Sequence, residues 1–194
     1  PPEPPPPAVR PRLALRARST SAAPSPPIHA PASQWPQRVV YHPGGARDYR
    51  IFTAPIADDP VRELRIVDPY GAAGDRARQN MVDFVRLLLT QAPSVAQVRI
   101  ITFDADSVDV SQAESSDIQY ADMHDRWRAA FGQDAALQFL PLSKRGNRSL
   151  HDREVQAVTR SGKRLTWDLG RGIDGVMGNR HGCNVVLTME EHPG

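Results

Sequence analysis

Between residues 64 and 103 the apolar rhythm of the sequence changes twice, and this limits the fold more than any other feature. Leu64, Arg65, Ile66 and Val67 form a short apolar run, stopped by Asp68, Pro69, Tyr70 and Gly71. After Gly74 and Asp75, the residues Ala77, Met81, Phe84, Val85, Leu88 and Leu89 recur at three- and four-residue steps, with Pro93 beyond the end. That spacing lines one face of an α-helix. Val98 to Phe103 then reads as a buried, β-branched strand. Strand, helix and strand within about forty residues make a βαβ unit, which implies a right-handed crossover and a partly parallel sheet. The expected fold class is α/β, a single domain with a mixed sheet covered by helices.

Further signals extend the sheet. Tyr49 to Ala54 alternates as a strand does, and Leu137 to Leu142 supplies another. Ile118, Ala121, His124, Trp127 and Phe131 mark a second amphipathic helix, closed by Gly132. His124 lies on or near this stripe and reads as a packing residue rather than a ligand. Glu154 to Thr159 and Arg164 to Leu169 flank the polar loop Arg160, Ser161, Gly162, Lys163, which suits a hairpin. Cys183 to Met189 is the last strand. The expected total is about seven strands and two main helices.

Ahead of Trp35 the composition is different. Twelve of the 19 prolines fall in the first 36 residues, mixed with Ala, Ser and Arg and with few large apolar side chains. Such a stretch cannot bury enough surface to offset its ordering entropy. Residues 1–37 are expected to be a disordered, Pro-rich linker and residues 38–194 the folded domain. A start of this kind also raises the expectation of further domains of the same polypeptide upstream of residue 1. No apolar run is long enough to span a membrane, and the N-terminus lacks the apolar core of a signal peptide, so the expected location is cytoplasmic. The one cysteine, Cys183, excludes an internal disulfide and leaves no cysteine cluster for zinc. It is expected as a buried structural thiol, and no metal or cofactor is expected.

Charge is unevenly distributed although the formal net charge is only +2. From Ile101 to Asp125 there are seven acidic residues and no Lys or Arg, whereas from Ser143 to Arg171 there are eight basic residues against three acidic. Either one side of the domain presents positive potential or both stretches are ordinary solvated loops. Three polar clusters lie where strands should end: Asp68, Pro69, Tyr70; Ser149 to Glu154; and Gly170 to Asp174. Ligands of α/β sheets bind beyond strand ends, so the three clusters are joined into one expected site.

These clusters carry a resemblance. His151, Asp152, Arg153, then a hairpin, then Leu169, Gly170, Arg171, Gly172, Ile173, Asp174 resembles the C-terminal phospholipase-D-like domain of MIT-domain proteins. Asp68, Pro69, Tyr70 before an amphipathic helix, followed by Val98 to Thr102, is similar to the earlier half of that domain in the same order. The resemblance covers roughly residues 38 to 190, on motifs of this kind. The three-helix MIT domain is absent, and Pro-rich chain stands in its place. The resemblance implies a phospholipase-D-like fold, a homodimer, and binding of anionic membranes without hydrolysis. The Arg- and Ala-rich sequence has only two lysines, which points to a GC-rich genome and a bacterial relative.

Phospholipase-D catalysis needs His, one residue, Lys, four residues, Asp. Here His151 is present and Arg153 stands for the Lys, since guanidinium binds phosphate bidentately, but the Asp position is Val158. Where active relatives carry a Gly, Ser, x, Asn turn, this chain has Gly170, Arg171, Gly172, Ile173. The expected function is therefore a non-catalytic dimerisation and anion-binding module, the regulatory or localising part of a larger protein, peripheral at a membrane. Its ligand-binding residues are expected to be His151, Arg153, Arg171, Tyr70, Asp68 and Asp174. A phosphodiesterase using His151 as nucleophile and a nucleic-acid-binding accessory are the alternatives. The competing structural account is that Asp152 or Asp174 pairs with Arg153 or Arg171 and ties the strand ends together.

Overall fold

Seven strands form one mixed sheet: β1 (Arg38–Tyr41), β2 (Val61–Val67), β3 (Gln97–Phe103), β4 (Ala136–Leu142), β5 (Glu154–Thr159), β6 (Arg164–Leu169) and β7 (Cys183–Glu190), in the order β1-β7-β6-β5-β2-β3-β4. The structure, a computed structural model, describes residues 36–91, 97–107, 115–132, 136–144, 152–178 and 180–190. The Pro-rich residues 1–35 and the basic residues 145–151 lie outside the described residues; of the linker expected over residues 1–37, only Pro36 and Gln37 are described, and the Gln37 carbonyl accepts from the Leu187 amide at 2.8 Å, which joins that residue to the sheet. Strands β2, β3 and β4 run parallel, and β5, β6, β7 and β1 add to them antiparallel. The fold is α/β, as the βαβ pattern required.

The helices are α1 (Arg50–Thr53), α2 (Asp75–Gln91), α3 (Ser116–Phe131) and α4 (Gly172–Met177). Both crossovers step the same way along the sheet, β2 to β3 and β3 to β4, so right-handed connections put α2 and α3 on one face. Helix α2 packs against α1, α3 and α4. Its Met81, Phe84, Val85 and Leu88 are buried against the covered positions of the strands, among them Ile66, Ile100, Val155 and Trp167. Among the described residues no helix lies on the opposite sheet face. One cross-strand row there is polar: Thr166, Gln156, Arg65, Arg99 and Gln138.

Two expectations are corrected. Tyr49 to Ala54 is not a strand but α1, continued by a 3-10 turn over Ala54–Ile56; the seventh strand is Arg38–Tyr41. Ile51 and Phe52 are both fully buried, which neighbouring strand residues on a sheet covered on one side cannot be. A helical turn points both inward. The Phe52 ring meets Phe84 edge-on at 5.1 Å, and Trp167 Nε1 donates to the Ile51 carbonyl at 2.9 Å.

In α3 the predicted stripe is rotated. Ile118 is 55% exposed and Ala121 is exposed, while Gln119, Met123 and Trp127 are buried. Gln119 goes inside because its amide is fully used: Nε2 donates to the carbonyls of Ala72 and Phe103, and Oε1 accepts from the Ala105 amide. A buried polar group with all its partners carries no desolvation penalty of the usual size. Hydrophobic periodicity cannot register such a residue. His124 is half-buried with its ring 4.3 Å from that of Tyr120, a packing position. Cys183 is buried, as expected.

Candidate functional site

Because β2 is antiparallel to β5 and β5 to β6, the end of β2, the start of β5 and the end of β6 share one edge of the sheet. The described parts of the three polar clusters, Asp68 to Tyr70, Asp152 to Glu154 and Gly170 to Asp174, therefore meet. At their centre is Asp68, 3% exposed. Its Oδ2 accepts the Ile173 amide at 2.8 Å and its Oδ1 accepts the Tyr70 amide at 3.2 Å. Gly172 has φ +69°, and a Cβ built there would lie 2.3 Å from Asp68 Oδ2. Only glycine brings the backbone this close in that conformation. Gly71 also lies close to this side chain, since a Cβ there would be 2.9 Å from Asp68 Cβ and 3.0 Å from Asp68 Cγ.

Burial pushes the Asp68 carboxyl above the ordinary aspartate range; the amides of Ile173 and Tyr70, then the Arg153 charge, oppose this. Asp174, exposed on α4, accepts from Asn80 Nδ2 at 2.6 Å. Both acidic groups of the site thus have neutral N–H donors as partners.

The cations are placed differently. The Arg153 carbonyl accepts from the Leu169 amide at 2.7 Å, which fixes the residue to the end of β6. Its guanidinium carbon lies 5.5 Å from the centroid of the Tyr70 ring. Tyr70 in turn stands edge-on to Phe103 at 5.8 Å. Arg171 is exposed and immediately precedes α4. Neither Arg153 nor Arg171 forms an ion pair among the described residues. Among the described residues neither Asp152 nor Asp174 forms an ion pair with them.

Asp68, Tyr70, Arg153, Arg171, Asp174, Gly175 and His181 line one recess of about 200 Å³. Five of the six expected site residues are brought together in it; the sixth, His151, lies outside the described residues. Sequence reasoning missed His181. It sits in the turn before β7, and the polar pair Arg180 and His181 beside Gly182 was a usable signal of a fourth cluster at the same sheet edge. It also missed Arg47, whose Nη2 donates to the carbonyls of Gly178 and His181 and so holds that turn in place. Arg47 stacks on the Tyr41 ring, 4.9 Å from its centroid.

Val158, which the expected resemblance sets against a motif carboxylate, is near the far end of β5. At about 3.3 Å per residue, a side chain there is roughly 16 Å along the strand from Arg153. The basic stretch is likewise divided by the fold. Arg160, Lys163 and Arg164 surround the hairpin at the opposite edge, so Arg153 and Arg171 stand apart from them. Behind the recess, burial pushes the Cys183 thiol up from its ordinary pKa, which keeps it protonated.

Among the described residues no group of three His, Cys, Asp or Glu side chains is arranged to hold a metal ion, and no helix is long and apolar enough to cross a membrane. No protein-family model matches the chain, and no curated protein matches it either.

Proposed function

We propose that this domain is a non-catalytic, phospholipase-D-like module that dimerises and binds an acidic lipid headgroup through its phosphodiester, as the regulatory or localising part of a larger protein. The observation that carries the reading is the imbalance within one recess. Arg153 and Arg171 are free of ion pairs among the described residues, while Asp68 and Asp174 are already held by N–H donors. Guanidinium groups in that state favour a phosphate oxygen from outside, and the recess is of a size to take one phosphoryl group.

A single headgroup suits the surroundings better than a nucleic-acid strand. The adjoining depression is lined by Asp152, Glu154 and Asp168, so a second phosphate along a polyanion would meet carboxylates. The missing motif carboxylate at Val158 supports binding without hydrolysis. The meeting of the three clusters at one sheet edge supports the phospholipase-D likeness. The proposal includes a cytoplasmic location, peripheral at a membrane.

Co-sedimentation of the protein with acidic and neutral liposomes, and with a short DNA, tests this alongside its mass in solution. The expected result is a dimer that sediments with acidic liposomes only and loses them as Arg171→Ala. A monomer indifferent to both lipids overturns the reading. Metal-independent phosphodiesterase activity abolished by His151→Ala would overturn its non-catalytic half, and selective sedimentation with DNA would make the ligand a nucleic acid.

A further inference from the structure

Helix α3 turns one apolar stripe into the core and leaves a small apolar spot outside. Met123 and Trp127 face inward, leaving Ile118 and Ala121 on the outer surface, with Tyr120 beside them 47% exposed. The outer surface near the start of the helix also carries Asp106 and Asp117, and Asp125 lies about two turns beyond Asp117. Asp125 pairs with Arg128 at 3.3 Å, but both side chains are more than two-thirds exposed, so solvent leaves that pair weak. No Lys or Arg occurs from residue 101 to residue 125. A partly apolar helix face flanked by three acids, with Arg128 at its far end, selects a partner that is basic and partly apolar.

This chain contains such a segment. Residues 9–18 read Val-Arg-Pro-Arg-Leu-Ala-Leu-Arg-Ala-Arg, with four arginines, no acidic residue, and Val9, Leu13 and Leu15 between the charges. Pro11 keeps its first part from continuing a helix. The described chain begins at Pro36, beside β1 at one edge of the sheet, whereas α3 packs against β4 at the other. Seven strands span about 30 Å. Chain from Ala14 to Pro36 reaches about 70 Å at an extended polyproline rise, so the distance is covered with slack.

We propose that residues 9–18 dock on the outer face of α3 within the same chain, their arginines against Asp117 and Asp125 and their leucines against Ile118 and Ala121. Docking there holds four arginines away from other anions. The proposal is independent of the recess, since it uses neither Arg153 nor Arg171.

A nitroxide at position 14, introduced as Ala14→Cys in the full chain, tests it; Cys183 is buried and escapes labelling. The expected result is loss of amide signal intensity that is greatest over residues 117–125 and falls off with distance from them, reversed by reducing the nitroxide. The loss should weaken as salt is raised. It should disappear in Asp117→Lys with Ile118→Lys, two surface changes that leave the remaining spectrum intact. Uniform broadening over the surface, or the same pattern in the double variant, overturns the proposal. So does broadening that arises only between a labelled chain and a separate isotope-enriched chain, which would make the contact intermolecular.

Discussion

Asp68 Oδ2 accepts the amide hydrogen of Ile173 at 2.8 Å, joining the end of β2 to the first turn of α4 across 105 residues of sequence. With the Tyr70 amide on its other oxygen, this carboxylate fixes the floor on which Arg153 and Arg171 stand. Stability of the domain and geometry of the recess therefore share one group.

Gly172 is the residue that permits this contact. Gly172→Ala places a methyl group into the Asp68 carboxylate and holds a side chain at φ +69°. The expected cost is about 3 kcal/mol or more, read from the urea midpoint. Gly74→Ala is the control, since a Cβ there meets nothing within 4 Å. It should change stability by no more than about 0.5 kcal/mol.

Two aspartates give opposite pH dependences. Burial alone would raise Asp122, but hydrogen bonds from Arg126 and Arg78 outweigh it and hold the carboxyl below the ordinary range. Its contribution is present above the unfolded-state pKa and is lost as pH falls through the folded one. Asp68 is shifted upward, so its contribution is present below the unfolded-state value and is lost as pH rises through the folded one. Stability measured against pH should have a shallower acid limb in Asp122→Asn and a shallower decline above the ordinary aspartate range in Asp68→Asn. Parallel profiles for both variants and the parent would show that neither carboxyl is linked to folding.

Trp167 is fully buried and its Nε1 donates to Ile51, which pins α1 to the sheet. Trp167→Phe removes the donor, leaves that carbonyl without it and opens a cavity. A loss of about 2 kcal/mol or more in chemical unfolding is expected. The Phe52 ring, 5.8 Å from Trp167, should also shift in a structure of the variant.

The parts of the fold that could be read from sequence are those governed by periodicity. The step of α2, the β-branched run of β3 and the hairpin between β5 and β6 all follow from local spacing. Residues 49–54 were misread because Ile51 and Phe52 answer to Trp167 and Phe84, which are distant in sequence. The face of α3 was misread because Gln119 is buried through three hydrogen bonds that apolar spacing does not encode. Five site residues were found because charged clusters at strand ends are visible before the sheet is known. His181 was missed because its place at the recess depends on the turn that Arg47 holds from 134 residues earlier in the sequence.

Titration of isotope-enriched protein with diethyl phosphate and with inorganic phosphate tests the recess most directly. The account predicts saturable shifts of the Tyr70, Arg153 and Gly172 amides. It also predicts at least a tenfold loss of affinity in Arg171→Ala, about 1.4 kcal/mol, with the rest of the spectrum unchanged. Shifts that never saturate, or equal affinity in the parent, Arg153→Ala and Arg171→Ala, would contradict it.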